Sequence, residues 1–221
     1  MESGSVADWV GGTATALAVV IALFRETFLV WWNRPRFEVR VDLRPPDCHL
    51  SKMQVQTNFH PIYYLRLLVK NVGRTVARSI QVHVDQLRRC DRHGEFYVDN
   101  DFLPMNLTWA HTGAPYMALI SPGTARNIDL GYVPKPNSPW LHKPRDHAEG
   151  ETWFHMTLEV VTFLGLHLLT PGGYRLDLTV AAENAPALKL TVELVIDGAW
   201  HDDESKMLSD GLELRRLAYG A

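Results

Sequence analysis

A hydrophobic period of two, beginning at Phe37 and recurring almost to the end, limits what this chain can fold into. Phe37, Val39, Val41 and Leu43 alternate with Glu38, Arg40, Asp42 and Arg44 until Pro45 and Pro46 stop the run. Tyr63, Leu65, Leu67 and Val69 repeat the pattern ahead of the turn Asn71-Val72-Gly73, and Ile80, Val82 and Val84 resume it. Phe154, Met156, Leu158 and Val160 face one way, while His155, Thr157 and Glu159 face the other. After the turn Pro171-Gly172-Gly173 come Tyr174, Leu176, Leu178 and Val180, opposite Arg175, Asp177 and Thr179. Leu188, Leu190, Val192, Leu194 and Ile196 form a further run. Successive side chains alternate faces only in a strand, so this pattern predicts half-buried strands of an all-β antiparallel sandwich or barrel. The one helix predicted after Pro35 covers Asp203 to Asp210. Asp202 or Asp203 caps it, Gly211 closes it, Met207 and Leu208 pack inward, and Leu212 and Leu214 continue as a strand. Two stretches read as irregular, Asp47 to His60 and the polar, proline-containing loop Pro134 to Gly150.

The N-terminal part has a different character. Val6 to Phe24 reads VADWVGGTATALAVVIALF, with Asp8 its one charge. As a helix it spans roughly 28 Å, close to a bilayer core of about 30 Å. Trp31 and Trp32 beside Arg34 and Arg36 fit an interfacial belt of amphipathic rings and snorkelling cations. Pro35 ends the helix. Glu2 and Asp8 lie before or at the outer end of the span, while Arg25, Arg34, Arg36, Arg40 and Arg44 follow it, so the positive-inside rule places the rest of the chain in the cytoplasm. The expected location is therefore the cell inner membrane, single-pass. A cleaved signal peptide would need a basic start, and here the start is acidic. A helix lying in the interface or against a partner stays open, because the span is moderately apolar. Gly11, Thr15, Ala18 and Ala22 share one face, a small-residue stripe of the kind that lets helices approach in lipid, so homo-oligomerisation is an expectation too. Residues 1–36 are read as helix and junction, and 37–221 as the sandwich domain.

Leu65 to Val84, LRLLVKNVGRTVARSIQVHV, resembles the strand–turn–strand of immunoglobulin-like adhesion-type modules, with Asn71, Gly73 and Ala77 in the characteristic places. The wider arrangement is similar to a group of uncharacterised bacterial membrane proteins, in which a membrane helix ends in a Trp-rich, Arg-Pro junction before such a sandwich. The matching pieces are Trp31 to Val39, Ser121 to Gly131 and Pro171 to Ala185. The resemblance implies an immunoglobulin-like antiparallel β-sandwich preceded by one N-terminal transmembrane helix. It carries no catalytic residue.

The search for chemistry is largely negative. Lys and Arg total 22 against 25 Asp and Glu, a formal charge of −3, which offers no clustered positive surface for nucleic acid. The two cysteines, Cys48 and Cys90, suit a reducing compartment, although one disulfide between them remains open. Cys48, His49 and His60 border one irregular stretch, and Cys90 and His93 share another, but no metal-ligand spacing appears among the ten histidines. Ser121 precedes a Pro-Gly turn and is not in a nucleophile elbow. Asp99/Asp101 and Asp202/Asp203/Glu204 read as loop and cap residues. Asn106-Leu107-Thr108 is a glycosylation sequon without use in the cytoplasm. The expectation is thus no enzyme, no cofactor and no metal. Trp109, Trp153 and Trp200 read as covers for the ends of the sandwich. Trp140, with Leu141 and His142 in the polar loop, is the candidate contact for a protein partner. The functional reading is a membrane-anchored, non-enzymatic binding module. The alternative is a membrane effector, for example of a bacterial defence system, that oligomerises through its helix and perturbs the bilayer.

Overall fold

The computed structural model describes residues 6–138, 141–162 and 164–220. Helix α1 (Val6–Asn33) is followed by strands β1 (Phe37–Val41), β2 (Cys48–Val55), β3 (Asn58–Asn71) and β4 (Ala77–Cys90). Next come β5 (Phe96–Val98), β6 (Met105–Asn106), β7 (Thr108–Trp109), β8 (Tyr116–Ile120) and β9 (Ala125–Pro134). Then follow β10 (Phe154–Met156), β11 (Leu168–Leu169), β12 (Gly172–Ala182) and β13 (Ala185–Ile196). Helix α2 (Glu204–Lys206) widens into a π-turn (Met207–Gly211) before β14 (Leu212–Leu217). The chain is mainly β, in two antiparallel sheets. One runs β1-β3-β9-β10-β11, with β2 also on β3 and β7 on β9. The other runs β14-β13-β12-β4-β5, with β6 and β8 also on β4.

The alternating residues meet between the sheets. Val39, Leu65, Leu67 and Val69 from one and Val82, Val84, Leu176, Leu178, Val192 and Leu194 from the other form one buried cluster. Asp177 of β12 faces outward as its parity requires, yet it is buried, with Arg88 at 2.6 Å and the Thr191 hydroxyl donating to it at 2.5 Å. On the same face Glu193 is held by Arg175 and Arg215. Burial pushes the Glu193 carboxyl up, but hydrogen bonds from both arginines outweigh that and hold it below its ordinary value. The polar face is thus covered by its own ion pairs.

Several expectations change. The stretch predicted irregular from Asp47 to His60 is a hairpin, β2 and β3, turning at Gln56 and Thr57 with Val55 opposite Asn58. Gln56 takes a positive φ of 56° there. Val160 does not extend β10; the strand stops at Met156, and Val160 is exposed. The short helix is capped by Asp203, whose side chain accepts from the Lys206 N–H, and Met207 is buried as expected. Its Glu204 carboxylate accepts from the Leu50 N–H at 2.8 Å, tying this turn to the β2 edge. Arg216 of β14 donates to the Val39 carbonyl at 3.0 Å and stitches the two sheets together along one side.

Helix α1 bends by 42° between Trp9–Arg25 and Thr27–Asn33, and among the described residues no single helix is long and apolar enough to cross a membrane. The bent pair together has the length and composition of a broken span, and a signal sequence has the same properties. The helix joins the sheets through the β3–β4 turn. Buried Asn71 donates from Nδ2 to the carbonyls of Thr75 at 2.8 Å and Ile120 at 3.0 Å. Its Oδ1 accepts from the N–H groups of Gly73 at 2.9 Å and Arg36 at 3.4 Å. The Thr75 hydroxyl donates to the Asn33 carbonyl, the last residue of α1, at 2.8 Å. Gly73 is pressed against this junction: a Cβ there would stand 2.5 Å from the Arg36 nitrogen and 2.6 Å from the Arg34 oxygen. Since those neighbours are backbone, Gly73→Ala is expected to destabilise the fold by about 1–3 kcal/mol, read as a lower denaturant midpoint at unchanged slope. A midpoint equal to wild type would mean that the junction moves freely away from the turn.

Candidate functional site

A cavity of ≈ 510 Å³ lies at one end of the first sheet. The loop after β9 meets the segment between β10 and β11 there. Gly131 lets β10 pair close to β9, because a Cβ at that position would collide with the Phe154 ring and the His155 carbonyl. That pairing sets His155 opposite Tyr132, with the rings stacked at 4.6 Å and 12°. His167 meets His155 edge-on at 4.8 Å. The Thr162 hydroxyl lies 3.2 Å from His167 Nδ1 and also accepts from the Leu166 N–H. His155 Nδ1 and His167 Nε2 are buried with no hydrogen-bond partner. Burial, reinforced by His167, pushes His155 down to about 4. His167 is also lowered, by burial and then by His142. Both rings are therefore neutral near pH 7; His167 lines the cavity, and His155 packs behind it.

The cavity has a cationic rim, Lys143 and Arg145 with exposed His142, over an apolar side formed by Val161, Leu164 and Leu168. Neither Lys143 nor Arg145 forms an ion pair among the described residues. This combination of apolar wall and cationic rim suits an acidic group attached to an apolar body.

Of the loop residues predicted to contact a partner, His142 lines this cavity and Leu141 is half-buried beside it. Trp140 lies outside the described residues. Trp109 and Trp153 are wholly buried, and Trp200 packs 4.9 Å from Tyr63, whose hydroxyl donates to the His201 carbonyl. Gly11, Thr15, Ala18 and Ala22 all lie exposed on α1, with the Thr15 hydroxyl bonded back to the Gly11 carbonyl at 2.8 Å. Cys48 and Cys90 sit in different sheets and are both free thiols; burial pushes Cys48 up to about 12, which makes it inert. Among the described residues no group of three or more His, Cys, Asp or Glu is placed to hold a metal ion.

At the other end of β3, Arg34 lies over the Trp31 ring at 5.2 Å and Arg74 over Trp32 at 5.1 Å. Trp32, Arg34, Arg36, Gly73 and Arg74 surround a second cavity of ≈ 230 Å³. Sequence reasoning singled out four residues here and missed Arg74, which only the fold of the β3–β4 turn brings to the junction. It also missed His155 and His167, because no spacing rule links a strand residue to one beyond an irregular segment.

Compared with known proteins, the chain matches no family model and no curated protein. A similar solved structure is the X-ray structure of Northeast Structural Genomics Consortium target SoR45. It is 12% identical, with 86% of this chain and 90% of that chain covered and a TM-score of 0.28.

Proposed function

We propose that the chain is a non-enzymatic binding module tethered to the cytoplasmic face of a membrane. In this reading an immunoglobulin-like sandwich is carried by one bent transmembrane helix. The observation that carries it is the uncovered apolar surface of α1. Val19, Ile21, Leu23, Phe24 and Val30 are all exposed, Leu23 at 70% and Val30 at 73%. At about 100° per residue Val19 and Ile21 point to nearly opposite sides, and a helix apolar all round needs a lipid or protein environment. The first sheet carries β1-β3-β9-β7 in order and the second β4-β12-β13. Immunoglobulin constant-type domains set strands A-B-E-D against C-F-G in the same way, which supports the finer fold reading. The histidine-lined cavity beside His142 is the recognition site, and its chemistry favours a protein partner that offers an acidic and an apolar side chain.

The test is alkaline-carbonate extraction of cells expressing the full chain with a C-terminal tag, followed by protease treatment of spheroplasts. Retention in the membrane with the tag shielded is the expected result. Release of the protein by carbonate would overturn the anchored reading.

A further inference from the structure

We infer that the junction between helix and sheets binds the phosphate of an anionic lipid headgroup through Arg34, Arg36 and Arg74. This deepens the anchored reading and rests on it. Several arginines elsewhere in the domain are neutralised, Arg40 by Asp47, Arg44 by Asp42, Arg66 by Asp129 and Arg89 by Asp99. At the junction, Arg34, Arg36 and Arg74 form no ion pair among the described residues, and Arg34 Nε is buried without a hydrogen-bond partner.. Three like charges around one cavity repel one another unless an anion joins them. Guanidinium is the group best suited to a phosphate, because its planar N–H edge donates two parallel hydrogen bonds to the oxygens. Arg34 and Arg74 lie over indole faces, so the rings hold both cations at the cavity.

The site is also held in shape. Asn71 and Gly73 fix the turn that presents Arg74, and the Thr75 hydroxyl ties that turn to the end of the helix. The phosphate therefore meets a preformed cradle, with little ordering left to do on binding. Its depth is consistent with a headgroup, since Trp31 and Trp32 belong at the membrane–water interface. Glu38, the next acidic residue along the chain, makes no ion pair with the three arginines.

The experiment uses the full-length protein in nanodiscs of phosphatidylcholine, with or without phosphatidylglycerol. Lipid retained on the protein is counted by native mass spectrometry. Wild type should hold phosphatidylglycerol in preference to phosphatidylcholine, and Arg74→Gln should weaken that preference roughly fivefold, as loss of one surface cation predicts. Arg36→Gln should do the same, while Arg40→Gln, whose arginine already has Asp47, should leave it unchanged. Carbonate extraction of the same protein from vesicles separates the two ideas. A chain that stays inserted but shows no lipid preference, or none sensitive to Arg74 and Arg36, overturns the headgroup site and leaves the anchor standing. A chain that washes out overturns both. Displacement of the lipid by inorganic phosphate at concentrations that leave other lipids bound would reassign the cradle to free phosphate and overturn the lipid assignment.

Discussion

Asn71→Ala is expected to cost about 3 kcal/mol, because the side chain carries four hydrogen bonds worth roughly 1 kcal/mol each, one of them long. It is wholly buried, donating to two carbonyls and accepting from two N–H groups, one of which belongs to Arg36 in the junction. Alanine leaves these backbone groups unpaired in a space water reaches poorly. The loss should appear as a lower urea midpoint at unchanged slope in the detergent-solubilised full-length protein. Cleavage by added protease between the helix and β1 should also become faster. Asn71→Asp preserves the acceptor side but forfeits both donated bonds and buries a charge, so it should be at least as damaging. If Asn71→Ala melts like wild type, the turn and the junction are not one mechanical unit, and the phosphate cradle loses its support.

Acid should weaken the fold in a window set by His155. Its ordinary value is 6.5 and burial lowers it to about 4 in the folded chain. Between those values the unfolded chain binds a proton that the folded chain refuses, so stability rises with pH across the window and falls as pH drops through it. The contribution is fully present above about 6.5 and is spent by about 4, a loss of roughly 3 kcal/mol. His167 is shifted in the same direction and adds to the slope. Glu193 acts lower, because its folded value lies below the ordinary 4.5, so its contribution disappears only in stronger acid. His155→Phe, which keeps a ring against Tyr132, should flatten the stability–pH profile between pH 6.5 and 4. An equally steep profile in that variant would place the acid sensitivity elsewhere.

The strands that could be read from sequence are those with one apolar face and one polar face throughout. Tyr63 to Val69, Tyr174 to Val180 and Leu188 to Ile196 all became strands with their apolar side chains inward. Strand β2 was hidden because its apolar residues change phase: Cys48 and Leu50 share one face, Met53 and Val55 the other. Pairing with β3 makes it a strand, and a single-strand pattern carries no trace of that partner. The helix end at Asn33 was legible from Pro35, but the 42° bend was not. The candidate site was half legible. The long loop and His142 stood out by composition. His155 read as a plain outward residue, and its burial comes from Tyr132 on the next strand and His167 beyond an irregular segment.

Strand β3 also sets a distance. Asn71, at its junction end, and Tyr64, which lies beside Tyr132 near the histidine cavity, are separated by seven residues. At ~3.3 Å per residue that is roughly 23 Å of rigid strand. In the proposed anchored arrangement, with β3 standing near the membrane normal, the strand serves as a standoff that holds the cavity clear of the headgroup layer. Lipids can then reach the arginine cradle but not the histidines. Whatever occupies the second site must come from the aqueous side, or must itself project that far from the bilayer.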